Sequence, residues 1–264
     1  MYTLNCKGRL LVLDKPVVMG ILNITPDSFY SGSRIEQRDV LQKAGQMIEE
    51  GATILDIGGQ STRPGSDRLT AAEELNRVLP AIKSIKENYP SVFLSIDTYH
   101  ATVASETVAA GVDLVNDISA GDMDANMLST VATLNVPFIA MHMQGTPDTM
   151  QDKPTYNNIA KEVVDYFIQK TAACKAAGIT DIIIDPGFGF GKTINHNFQL
   201  LKQMEVFQLF QVPVLAGLSR KSTIWKTLEV TPEKALNGTT VLNTLALTKG
   251  ASILRVHDVK EAVE

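Results

Sequence analysis

Residues 92–121 read VFLSIDTYHATVASETVAAGVDLVNDISAG, and this stretch carries the plan of the whole chain. A short apolar run at 92–96 is followed by a helical pattern over 101–110, then Gly111, then a second apolar run at 114–118. Runs this short, bounded by Asp, Asn, Gly or Pro, fit strands buried on both faces, as parallel strands are. Gly111 stands where a helix C-terminal glycine belongs, just ahead of the next strand. The unit is strand, helix, strand.

Outward from it the unit repeats in both directions. Upstream lie strand patterns at 17–24 and 53–57; downstream they fall at 136–141, 182–184, 212–216 and 252–256. Helical patterns occupy about 37–50, 71–88, 124–134, 157–177, 193–209 and 232–249, and another starts near Asp258. Gly51, Gly178 and Gly250 repeat the part of Gly111. Eight strands alternating with helices predict an α/β chain folded as a (β/α)8 TIM barrel. A doubly wound open sheet is the alternative, since periodicity does not say whether the sheet closes. No low-complexity tract or Gly/Ser linker divides residues 1–264, so a single domain is expected.

Composition narrows the function. Twenty-nine acidic against 24 basic residues give a net charge of −5 and a pI near 5.5, which argues against a general nucleic-acid binder or a membrane-surface protein. Cys6 and Cys174 stand far apart, in no metal or redox spacing. No segment reaches the roughly 18 apolar residues of a membrane span, and Asp14 and Lys15 interrupt the N-terminal apolar stretch too early for a signal peptide. A soluble cytoplasmic protein is expected.

In a parallel barrel, catalytic groups gather at the C-terminal strand ends. Here those ends carry Asn23, Asp56, Asp97, Asn116 with Asp117, His142, Asp185, the segment GLSRKS (217–222), and Arg255 with His257. Singly, each has a plain structural reading: Asp97 and Asp117 as helix caps, Asp56 as a turn brace, His142 as a packed histidine, His100 and His196 as helix-start or surface residues, and the glycines of 187–191 as a tight loop. Together, Asp97, Asp185, Asn116 and Lys221 suit a flat heterocycle. Its adjacent ring N–H and NH₂ would give Asp185 two donors, Asn116 would read a mixed edge, and Lys221 would donate to a ring carbonyl. Arg255 and His257, two apart on the last strand, face one way and suit an anion, with Arg63 and the helix start at 219–222 as further anion candidates.

The segments MGILNITPDSF (19–29), DIGGQSTRPG (56–65), SIDTY (95–99), VNDISAG (115–121), MHMQGTP (141–147), DPGFGFGK (185–192), SRKS (219–222) and RVHDV (255–259), in this order, resemble the dihydropteroate synthase family of pterin-binding TIM barrels. The resemblance implies a transferase that joins p-aminobenzoate to 6-hydroxymethyl-7,8-dihydropterin diphosphate, with Mg²⁺ assisting, and that is the target of sulfonamides. It implies pterin binding by Asp97, Asn116, Asp185 and Lys221, with Met141 and Gly217 packed around the ring. Arg255 would stack on it and face the diphosphate with His257 and Asn23, the last being the one protein ligand to Mg²⁺. Thr62, Arg63, Pro64, Phe190, Ser219 and Ser222 match positions around the aminobenzoate, and Phe29 matches a first-loop residue closing over it. Asn23, Arg63, Asp97, Lys221, Arg255 and His257 form the implied catalytic set, and a homodimer is the implied assembly.

The chain departs from the family pattern at Ser31, where an acidic residue is common, and at Gln60, where Glu is common. It also stops at Glu264, where relatives usually run on. Rival readings are a corrinoid-dependent methyltransferase sharing the pterin pocket, a non-catalytic pterin-binding paralogue and a Schiff-base aldolase. The intact STRPG and SRKS segments count against the first. The full contact set counts against the second. The place of Lys221 beyond strand seven counts against the third.

Overall fold

Eight short strands arranged in order of sequence account for most of the architecture. The structure, a computed structural model, describes residues 1–24, 34–60, 68–147, 149–150 and 154–264, with the backbone alone for 34–38. The strands are β3 (Val17–Asn23), β4 (Ile54–Gly58), β5 (Phe93–Asp97), β6 (Leu114–Asp117), β7 (Phe138–Met141), β8 (Ile182–Asp185), β9 (Leu215–Ala216) and β10 (Ile253–Val256). All neighbours pair in parallel, in the order β8–β7–β6–β5–β4–β3–β10–β9. A parallel bridge between Ile184 and Val214 then brings β8 to the start of β9 and closes the ring. The expected TIM barrel is therefore the fold, and the open-sheet alternative is not. The seventh barrel strand is shorter than expected because Pro213 has no N–H for the ladder, although its carbonyl accepts from Ile184 N–H at 3.1 Å.

The surrounding helices are α1 (Arg34–Glu49), α2 (Ala71–Asn88), α3 (Ala101–Ala109), α4 (Met127–Leu134), α5 (Ile159–Ala177), α6 (Ile194–Lys202), α7 (Ser222–Thr227), α8 (Leu236–Thr248) and α9 (Val259–Val263). Their boundaries follow local chemistry. Thr70 and Glu73 form a reciprocal capping box at the start of α2, and Gly178 ends α5 at φ 98°. Two expected helices are interrupted. The pattern over 193–209 breaks at Gln203, whose N–H is shared between the carbonyls of Gln199 and Leu200, and the chain continues as a 3-10 turn, Met204–Phe210. The pattern over 232–249 likewise opens with a 3-10 turn, Pro232–Lys234, before α8 begins.

The N-terminal residues hold an element that sequence reading overlooked. β1 (Tyr2–Cys6) and β2 (Arg9–Leu13) form an antiparallel hairpin turning at Lys7 and Gly8, both with positive φ. Its inward residues Leu4, Cys6, Leu11 and Leu13 join Met19, Ile54, Leu114, Ile139, Ile183, Leu215 and Ile253 in one apolar cluster inside the lower barrel. The hairpin stoppers that end. Arg9 pins it by pairing with Asp113 at 3.1 Å and lying 3.9 Å over the Phe93 ring. A larger cluster between strands and helices makes up the remaining core.

One buried acid on α2 makes this packing sensitive to pH. Glu74 is 1% exposed; it accepts from the Thr98 hydroxyl at 3.0 Å, while its Oε1 has no partner. Burial pushes its carboxyl up to about 7, against the pull of Thr98. Its folded pKa lies above the ordinary carboxylate value, so stability falls as pH rises between the two. Glu74→Gln keeps a neutral acceptor for Thr98. It is expected to stabilise the fold at pH 8.5 by up to about 3 kcal/mol and to change little at pH 5. Thermal melts at the two pH values check this; an equal effect at both would contradict it.

Candidate active site

Period-two alternation builds the site. In β4, β6, β7, β8, β9 and β10, the inward residues Ile54, Leu114, Ile139, Ile183, Leu215 and Ile253 belong to the apolar plug. Two residues further along each chain stand Asp56, Asn116, Met141, Asp185, Gly217 and Arg255, on the same inward face and nearer the C-terminal mouth. β5 adds Phe93, Ser95 and Asp97 in the same way. The barrel thus changes from hydrocarbon to charge within one step of the pleat.

Arg255 occupies the centre of that polar layer. Its Nε donates to Asp56 Oδ2 at 2.6 Å and its Nη2 donates to Asp97 Oδ2 at 2.6 Å. Asn116 Nδ2 also donates to Asp56 Oδ2, at 3.1 Å. Burial disfavours the guanidinium charge, but Asp56 and Asp97 outweigh it and hold Arg255 above its ordinary pKa. For Asp97, burial dominates and pushes the carboxyl up to about 7, Arg255 pulling the other way. Asp56 is fully buried, and its Oδ1 and the nearby Ser95 hydroxyl have no partner. Asp56 therefore belongs to the polar layer, as its place at a strand end suggested, and does not serve as the turn brace that was its plain structural reading. The sequence held one pointer, the spacing of two between Ile54 and Asp56 within an apolar run.

A second group lies across the mouth. Asp185, 5% exposed, accepts from Gly187 N–H at 2.7 Å. Burial raises its pKa, with Lys221 opposing. Lys221 donates to the Phe188 carbonyl, and its Nζ lies 4.7 Å from the centre of the Phe190 ring. Burial lowers its ammonium to about 8 despite Asp185. A Cβ at Gly217 would stand 3.8 Å from Lys221 Nζ and 3.9 Å from Asp185 Oδ2, so the missing side chain leaves the gap between them open. Met141 packs with Tyr99 and Ile118, and with Phe190 beside them, as an apolar wall.

Residues expected to face an anion stand at the rim. His257 N–H donates to Ser219 Oγ at 3.1 Å, and the same hydroxyl lies 3.1 Å from His257 Nδ1. The helix expected to open over 219–222 begins only at Ser222, with Lys221 at its N-cap position, and runs for six residues. Arg220 is turned away, bonded to Asp258 at 2.7 and 2.8 Å. Asn23 ends β3, exposed, opposite Gly58 in the ladder. Gly58 presents no side chain to the Asn23 carboxamide oxygen, which a Cβ there would approach at 3.3 Å. Among the described residues no cluster of three His, Cys, Asp or Glu forms a metal cage. A lone exposed carboxamide oxygen fits Mg²⁺, which keeps several waters and leans on substrate phosphates. Phe29, Ser31, Thr62, Arg63 and Pro64 lie outside the described residues.

Other residues keep structural duties. Asp117 accepts from the N–H groups of Ser119 and Gly121, bracing the turn through Ala120, φ 49°, rather than capping a helix. Asp97 is no cap either; His100 occupies the N-cap position of α3, and His196 closes a capping box with Thr193 on α6. Both cysteines are buried, and burial pushes their thiols up to about 12 for Cys6 and about 11 for Cys174, so neither is a nucleophile. The glycines of 187–191 serve close packing: a Cβ at Gly187 would collide with the His142 carbonyl and one at Gly191 with that of Gln144.

An eight-stranded barrel carrying carboxylates, a carboxamide and two cations at its mouth has the form of a TIM-barrel enzyme with its site at the C-terminal strand ends. The pterin-binding enzyme family model matches residues 19–257. Dihydropteroate synthase of Escherichia coli K12 is 43% identical over 261 residues, covering 98% of this chain and 92% of its own. The crystal structure of the Yersinia pestis dihydropteroate synthase with a sulfonamide drug superposes at TM-score 0.93 and 41% identity, covering 99% and 96% of the two chains. The Xanthomonas albilineans enzyme in complex with 7,8-dihydropteroate gives TM-score 0.89 at 39% identity, covering 99% and 95%. The chain belongs to the pterin-binding enzymes, in their dihydropteroate synthase branch.

Proposed function

We infer that this chain condenses 6-hydroxymethyl-7,8-dihydropterin diphosphate with p-aminobenzoate, giving 7,8-dihydropteroate and diphosphate in folate biosynthesis. The observation that carries the reading is the polar layer itself: Asp185 and Lys221 flanking an open gap, opposite Asp97, Asn116 and Arg255. The similar Xanthomonas albilineans structure, which holds 7,8-dihydropteroate, supports the same substrate class.

In this reading Asp185 accepts from the ring N–H and exocyclic NH₂, Lys221 donates to the ring carbonyl, and Asn116 reads the remaining edge. Met141 and the bare Gly217 leave room for a flat ring, with Arg255 across its face. The C–O bond to diphosphate breaks with its electron pair leaving on oxygen. Asp97 and Asp185 favour the positive charge that develops on the pterin side. The aniline nitrogen forms the new C–N bond and sheds its proton, and no strong protein base is required. Arg63, Arg255 and His257 meet the departing anion, and Asn23 would hold Mg²⁺, which would supply further neutralisation of diphosphate charge. Phe29, Thr62, Pro64, Phe190, Ser219 and Ser222 enclose the aminobenzoate.

The chain works as one domain, in the cytoplasm, and as a homodimer. The dimer reading draws support from Leu228, Val241 and Leu245, about half exposed along the end of α7 and α8. Among the described residues no helix is long and apolar enough to cross a membrane.

Purified protein incubated with both substrates and Mg²⁺ is expected to form dihydropteroate; its absence would sink the reading. The pH profile of kcat/KM for the pterin substrate is expected to be bell-shaped. It rises as Asp97 ionises through about 7 and falls as Lys221 loses its proton through about 8. Asp97→Asn should weaken the acid limb, leaving the part set by the ionisation of Asp185, whose pKa burial also raises. A profile flat from pH 6 to 9 would separate both groups from the chemistry.

A further inference from the structure

Beneath the loop after β8 lies a lysine to which the reaction gives no part. Lys192 is 3% exposed, and its Nζ sits among four acceptors: His142 Nδ1 at 2.9 Å, the Gly187 carbonyl at 2.8 Å, the Phe190 carbonyl at 3.0 Å and the His142 carbonyl at 3.3 Å. No carboxylate pairs with it in this set. Three ammonium protons match the three short acceptors, and His142 stays neutral to accept one of them. Burial and the lysine's own charge hold His142 down to about 2. Burying a cation on uncharged acceptors is costly: burial holds the Lys192 ammonium well below the ordinary lysine pKa, with Asp185 opposing, and this cost is tied to the shape of one loop.

That loop is where the two halves of the pterin grip meet. Gly187 N–H donates to Asp185, and the Phe188 carbonyl accepts from Lys221. Lys192 holds the carbonyls of Gly187 and Phe190 on either side of Phe188. The Gly191 carbonyl accepts from the Tyr156 hydroxyl at 2.9 Å, and Gly189 N–H donates to Asn197 Oδ1 at 2.7 Å. Side chains, not a regular ladder, therefore set the loop's shape. Gly187 and Gly191 let it press directly on the residues after β7.

We propose that Lys192 is a positioning residue for pterin recognition, acting through the 186–191 loop to place Lys221 against the ring. It touches no substrate. The proposal rests on the pterin-binding reading of the site, and it makes a claim that a purely structural lysine does not: its effect on ligand passes through Lys221.

A double-mutant cycle tests this, read as 7,8-dihydropterin-6-methanol affinity by calorimetry, with thermal melts alongside. Lys192→Met is expected to weaken binding at least tenfold in protein that still melts cooperatively. Lys221→Ala should weaken it at least tenfold as well. The double variant should lie within threefold of Lys221→Ala, because the lysine being positioned is already gone. If Lys192→Met does not yield folded protein, Lys192→Arg runs the same cycle, since its planar fork keeps the charge but not the converging geometry. Unchanged affinity in the folded Lys192 variant, or losses that multiply in the double variant, would overturn the proposal while leaving the pterin site standing. Failure of the unmodified protein to bind the pterin would take down both.

Discussion

Asp56→Ala is expected to destabilise the fold by about 3–5 kcal/mol, the scale of removing one partner from a buried ion pair. The cost follows from what remains. Arg255 would keep only Asp97, and Asn116 would lose its acceptor, both inside a barrel with hydrocarbon directly below. Repair by water is limited, because Asp56 itself has no exposure. Chemical denaturation measures the loss. A change under about 1 kcal/mol would mean that Arg255 does not depend on Asp56, and that the central placement of this acid is incidental.

Asp185→Asn is expected to spare the fold and damage recognition. The amide oxygen still accepts from Gly187 N–H, so the loop keeps its anchor. The other atom facing the gap becomes NH₂, a donor presented to the donor edge of the ring. Loss of a charged buried partner and its replacement by a clash of donors should weaken pterin binding by about 2–4 kcal/mol. Calorimetry showing unchanged affinity would reverse the proposed orientation of the heterocycle.

Most of the barrel was legible because its units are local. Each strand is a short apolar run, four of the helices (α1, α3, α5 and α8) end near a glycine, and the polar strand ends announce the mouth. Asp97, Asn116, Asp185, Lys221 and Arg255 converge as their positions suggested. Asp56 was harder to see, because a single Asp before Ile-Gly-Gly looks like turn chemistry until its inward register is known. Lys192 could not be read at all: its four acceptors include three backbone carbonyls, which carry no sequence signature. The hairpin was missed for a different reason. The run Leu10–Leu13 is continuously apolar rather than alternating, so the second strand lacks the period-two mark and the Lys7-Gly8 turn before it does not stand out.

That hairpin has a consequence for traffic. Among the described residues, Leu4, Cys6, Leu11 and Leu13 fill the base of the barrel with hydrocarbon. With hydrocarbon below, a molecule seated over Asp97 and Asp185 from the mouth would dry these charges together and sharpen every electrostatic contact it makes. Whatever rests deepest, on Asp185, enters before anything that covers it, and it leaves only after its cover has gone.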